Sequence, residues 1–157
     1  MRKQLGFSLI ELLIVVAVIL VIAAIAIPNL MKSRIAANEA SAVGSLRSLN
    51  TAEVTYFTAY NSYTCALATM GPPSSGSPVT SAAAGIIDSN LASGVKSGYT
   101  ITVACVGGGT PTVNYQSTAA PVSAGVTGQR YFCSDASGVI KYDASSTANC
   151  LSNGVPI

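Results

Sequence analysis

The chain has 157 residues, 50% hydrophobic and 9% charged, with a net charge of +2 and no histidine. That length suits one compact domain plus an extension. Without the first six residues, which hold Arg2 and Lys3, six basic and six acidic groups remain, a neutrality that argues against electrostatic binding of nucleic acid as the main task.

The first informative stretch runs over 7–27, where Ser8 and Glu11 are the only polar residues. As a helix rising about 1.5 Å per residue it would span about 30 Å, a bilayer core. Ala23, Ala24 and Ala26 imitate a signal-cleavage site, yet the run is longer than the roughly 7–15 apolar residues of a signal core. The basic pair Arg2/Lys3 favours a cytoplasmic N-terminus, which puts the chain beyond residue 30 outside. Glu11 does not suit a plain anchor. A charged side chain at mid-bilayer costs roughly 2.5–3.5 kcal/mol, and less near the interface. Either the carboxylate reaches the headgroups or it awaits a cation. A cut between Gly6 and Phe7 would create an α-amino group one helical turn away. Supplied by a neighbouring copy, that amine would set the axial register of a stack of apolar helices.

Pro28 lacks an N–H and crowds the carbonyl of Ala24, which predicts a kink or local melting there. A helical pattern then resumes. Ile35, Val43, Leu46, Leu49, Tyr56 and Tyr60 share one face, with Lys32, Arg34, Asn38 and Arg47 elsewhere. The predicted helix covers 7–60, about 80 Å: an apolar part over 7–28 and an amphipathic part over 29–60. Such length without internal caps suits a spine more than a globular helix.

The remainder, 61–157, reads as a head. Residues 71–78 form a breaker-rich loop. Residues 82–91 suit a short helix with Ile86, Ile87 and Leu91 facing the core and Asp88 as a solvated or capping carboxylate. Residues 98–105 alternate, with Tyr99, Ile101, Val103 and Cys105 on one face. The glycines 107–109 lack the lysine and Ser/Thr of a phosphate-binding loop and read as a turn. Strands follow over 112–118, 129–133 and 139–142. The expected fold is α+β: a long N-terminal helix whose C-terminal half packs on an antiparallel sheet of about four strands, burying Leu46, Leu49 and Tyr56. Cys65, Cys105, Cys133 and Cys150 all follow the apolar stretch and read as two disulfides in an exported head. Four cysteines allow three connectivities. Without histidine, and at spacings of 40, 28 and 17, they match no zinc pattern.

The run Leu5-Gly6-Phe7-Ser8-Leu9-Ile10-Glu11-Leu12 resembles the prepilin processing motif of type IV pilins and related pseudopilins. The resemblance implies a leader over 1–6. A prepilin peptidase of the inner membrane would cut after Gly6 and methylate the amine of Phe7. It further implies that Glu11 pairs with the Phe7 amine of an adjacent subunit, that Pro28 is the proline that kinks such helices, and that the product is a homo-oligomeric filament. Its partners would be the peptidase/methyltransferase and the inner-membrane pilus assembly machinery, and its final location the cell surface. Pilin heads often carry a disulfide-closed loop near the C-terminus, which implies Cys133–Cys150 and, with it, Cys65–Cys105. No cofactor or metal is expected.

Three functions compete: a structural subunit of a type IV pilus, a pseudopilin of a type II secretion system, and a membrane-tethered enzyme or binding domain. The major pseudopilin typically binds calcium, for which the later head offers only Asp135 and Asp143. For an enzyme the chain lacks histidine, tryptophan and recognisably paired carboxylates, so no catalytic residue is expected. The pilus subunit is the preferred reading.

Overall fold

A stripe of residues spaced alternately by three and four organises the fold: Glu39, Ala42, Leu46, Leu49, Glu53 and Tyr56 are all buried. This spacing keeps one helical face turned to a single partner surface. The computed structural model describes residues 7–107, 109 and 111–157. The chain divides into two units, one ending at Arg34 and one covering Ile35–Ile157. Helix α1 (Leu9–Tyr60) contributes to both.

In the first unit α1 is helical through Pro28. The expected local melting is therefore absent, and the helix does not end at the proline.

In the second unit, α1 ends at Tyr60. Asn61 adopts a left-handed conformation (φ 53°) and donates its N–H to the carbonyl of Phe57 at 2.8 Å, a form of helix termination asparagine tolerates well. After α2 (Leu67–Met70) and α3 (Ser89–Ala92), six strands follow: β1 (Val95–Lys96), β2 (Tyr99–Cys105), β3 (Tyr115–Pro121), β4 (Tyr131–Asp135), β5 (Lys141–Asp143) and β6 (Val155–Pro156). Helix α4 (Thr147–Asn153) sits between the last two in sequence. The strands pair antiparallel with their immediate neighbours in chain order.

The α+β class is as expected, but the sheet has six strands rather than four. Strand β1 forms because Ser97 and Gly98, both at positive φ, make a two-residue turn that pairs Lys96 with Tyr99. Strand β6 is two residues, one a proline, too short for a periodic signal.

Tyr99, Ile101 and Val103 of β2 face inward. In β3 the inward residues are Tyr115, Ser117 and Ala119. Phe132 of β4 joins them under α1. Leu46 and Leu49 are fully enclosed, a burial that contributes about 1.5–3 kcal/mol each. Tyr60, expected on the same face, is 37% exposed. It lies one turn beyond Tyr56, the last buried residue of α1.

Two further boundaries differ from expectation for a visible reason. The second strand begins at Tyr115, not at residue 112, because Thr112 is engaged elsewhere. Its carbonyl accepts the Tyr63 N–H at 2.9 Å and its N–H goes to Ser62 Oγ at 3.0 Å. The helix expected over 82–91 is confined to Ser89–Ala92. The amides of Ala84, Gly85, Ile86 and Ile87 are spent on carbonyls of Thr69, Gly71 and Met70, which holds that backbone non-helical. Asp88 is the N-cap of α3 and accepts the Leu91 N–H at 2.9 Å.

Candidate functional site

The N-terminal half of α1 is apolar all round. Every large apolar side chain from Leu9 to Met31 is exposed, Val16 least at 47%. This is the helix long and apolar enough to cross a membrane. So much uncovered apolar surface exceeds what a chain in water tolerates without a partner.

Glu11 lies in the first turn of α1, where its Oε2 accepts the backbone N–H of Ser8 at 3.3 Å. The bond satisfies one of the free amides at the start of a helix, and a carboxylate there suits the positive end of the helix dipole. The Ser8-x-x-Glu11 spacing is the signal of a capping box, a role the sequence reading did not assign to Glu11. Phe7, 77% exposed, immediately precedes this turn. Gly6 lies outside the described residues. Pro28 sits within α1, 17 positions after Glu11, and the two are not brought together.

Two disulfides tie the head, Cys65–Cys105 and Cys133–Cys150, with Cα separations of 4.9 and 5.9 Å. Cys133 and Cys150 are buried, so the second bridge pins α4 to β4. Cys65 is exposed and Cys105 half-buried. Just before α4, Asp143 accepts from the amides of Ser145 (2.7 Å) and Ser146 (3.2 Å) and from Asn149 Nδ2 (2.7 Å). Together with the Ser145 hydroxyl, these donors bring its carboxyl down to about 2.

Two acidic residues on the helix stripe were not singled out from the sequence. Glu39 Oε1 accepts the amides of Gln129 (2.9 Å) and Arg130 (3.2 Å), and its Oε2 receives the Arg130 guanidinium at 2.7 Å. Glu53, fully enclosed, accepts the Thr64 N–H at 3.0 Å. Between them, Asn50 accepts the Tyr115 hydroxyl at 3.1 Å and donates to Ser134 Oγ at 2.9 Å. The available signal was spacing. Glu39, Leu46 and Glu53 are seven apart, so both glutamates share the buried face of a leucine.

A long N-terminal helix followed by a six-stranded antiparallel sheet defines a pilin-like α+β fold. The model of the prokaryotic N-terminal methylation motif matches residues 1–27. Over 58 residues the chain is 45% identical to the type IV major pilin protein PilA of Myxococcus xanthus, an overlap covering 37% of this chain and 26% of that protein. Over 83 residues it is 41% identical to the type IV wide pilus major component PilA4 of Thermus thermophilus, covering 51% of this chain and 63% of the relative. The chain thus spans less than two thirds of either relative. Over part of its length the chain is similar to type IV pilins, and it carries the N-terminal methylation motif.

Proposed function

We propose that the chain is a non-enzymatic structural subunit of a bacterial type IV pilus, made as a membrane-inserted precursor and assembled through its apolar helix. The observation that carries this is the exposed apolar surface of residues 9–31. Only a bilayer or other apolar helices can cover a helix that is apolar on every side. A membrane covers it first, with Arg2 and Lys3 retained in the cytoplasm. Copies of the same helix cover it in the filament.

Processing separates the two stages. Cleavage between Gly6 and Phe7, with methylation of the Phe7 amine, removes the basic leader and leaves a cation at the start of the helix. Glu11 is its partner in the adjacent subunit. The Ser8 N–H bond supports this role by keeping the carboxylate at the helix start, beside Phe7. Desolvated together, the two charges are attracted strongly only when in register, so a mis-stacked subunit leaves both unpaired. Pro28 removes one backbone hydrogen bond from the helix and so gives it a point of compliance for packing. On this reading residues 1–6 are a leader, 7–60 the spine and 61–157 the head displayed outside. Asp135 and Asp143 each accept hydrogen bonds within their own turns.

Mass spectrometry of protein recovered from sheared surface fibres tests the proposal. The expected first residue is N-methylated Phe7. An N-terminus at residue 1, or near residue 27, would overturn it.

A further inference from the structure

The two buried glutamates of α1 differ in one respect. Glu39 is met by two amides and a guanidinium. Glu53 has one amide donor, from Thr64, and its Oε1 has no hydrogen-bond partner. Among the described residues the ion pairs are Arg130–Glu39 and Lys96–Asp88, and neither involves Glu53. The titratable groups that act on Glu53 or lie next to them are phenols and one carboxyl. Tyr56 comes from its own helix and Tyr115 from β3. Tyr63 of the following turn stacks on Tyr115 at 4.9 Å, and Asp135 of β4 acts on Tyr115. None of these offers a positive charge, so an ionised Glu53 is a buried, uncompensated anion.

Its one donor belongs to a short segment, residues 61–66, that joins α1 to α2. That segment is also held by the Asn61 N–H on the Phe57 carbonyl, by the Tyr63 ring against Phe57 at 4.7 Å, by Tyr63 and Ser62 on Thr112 and by the Cys65–Cys105 bridge to β2. The Thr64 N–H is its hydrogen bond to a side chain of α1.

We propose that Glu53 is a proton-operated latch between α1 and the 61–66 segment. Neutral, it stays in the seam and holds the Thr64 amide. Ionised, it draws water into the seam and loosens the segment, while the disulfide keeps the segment tethered to β2. Burial raises the Glu53 carboxyl to about 7, opposed in part by the Thr64 N–H. The folded chain therefore holds a proton that the unfolded chain releases near 4.5. The latch is fully favourable below that value and is lost as pH rises through about 7. The pH of the medium around the head thus sets how tightly this segment is held. The latch is independent of how the chain assembles.

The test uses the full chain in detergent micelles, with ¹³C-labelled glutamate carboxyls; there are three to resolve, Glu11, Glu39 and Glu53. Glu53, assigned by its loss in Glu53→Gln, is expected to titrate with a midpoint more than about one unit above the ordinary carboxylate value. Amide exchange is then measured at pH 5.5 and 8.5 and corrected for intrinsic rates. Thr64 should lose about 10-fold more protection than Ile101, whose N–H is bonded to Gly94. In Glu53→Gln the two amides should change alike. An ordinary Glu53 midpoint overturns the proposal, as does equal behaviour of Thr64 and Ile101 in the unmodified chain. If Glu53→Gln does not fold, these two measurements on the unmodified chain decide it, the resonance then being assigned by its through-bond connection to the Glu53 backbone.

Discussion

Glu39 and Arg130 lie 91 residues apart in sequence and meet carboxylate to guanidinium at 2.7 Å. The guanidinium also lies over the rings of Phe132 and Tyr142, at 5.5 and 5.2 Å. One side chain of α1 thereby orders the entry to β4 and two aromatic rings of the sheet. Glu39→Ala leaves two amides and a half-exposed cation without their acceptor. A loss of about 2–3 kcal/mol in the unfolding free energy is expected. Arg130→Lys keeps the charge but not the fork, and should cost about 1 kcal/mol. Urea unfolding of the oxidised chain in detergent measures both.

Gly128 has no room for a side chain. An added Cβ would fall on the phenol of Tyr99, which is fully buried and donates to the Arg130 carbonyl at 2.8 Å. Tyr99 cannot retreat without leaving the core. Gly128→Ala should cost about 1–3 kcal/mol by overpacking. Gly44→Ala, with nothing near its Cβ and an exposed helical position, should instead stabilise by about 0.5–1 kcal/mol. Paired melts of the two variants check the contrast.

The two disulfides should respond differently to reductant. Cys133 and Cys150 are buried, whereas Cys65 is exposed and Cys105 only half-buried. Thiolate attack needs access to a sulfur. Under native conditions, Cys65 and Cys105 should be alkylated first after limited reduction, as read by peptide mass spectrometry. Cys150→Ser should destabilise the head by about 2–5 kcal/mol.

Asp143 supplies a pH dependence opposite in sign to that of Glu53. Its carboxyl is lowered to about 2 by the Ser145 side chain and amide, then by Ser146 and Asn149. A lowered folded value means that its contribution is present above about 3.8 and is lost as pH falls through about 2. Asp143→Ala should therefore be less stable than the unmodified chain at pH 6, with the difference closing between pH 4 and 2. Thermal melts across that range read it directly.

On the role proposed for Glu11, Glu11→Ala should leave a processed, membrane-inserted chain that assembles poorly. Filament counts by electron microscopy, with an N-terminal mass check on membrane fractions, measure the two outcomes separately. Normal filament numbers would contradict the assigned role.

Much of the chain was legible without coordinates because its signals are local. Twenty-one residues over 7–27 with two polar members make a helix that water cannot accommodate, and this follows from composition alone. The alternation of Tyr99, Ile101 and Val103 likewise marks a half-buried strand whatever lies opposite. Four cysteines, all beyond the apolar stretch, indicate bridges by count. What escaped the sequence is non-local. Thr112 leaves the sheet because Ser62 and Tyr63 take its hydrogen bonds. Residues 84–87 are not helical because α2 offers acceptors. Charge ordinarily marks a solvent face, yet Glu39 and Glu53 sit on the stripe of Leu46. Only the tertiary structure brings Arg130 to one of them and a single Thr64 amide to the other. That difference in compensation, invisible in a list of residues, makes Glu39 a clasp and leaves Glu53 with a buried oxygen that has no partner.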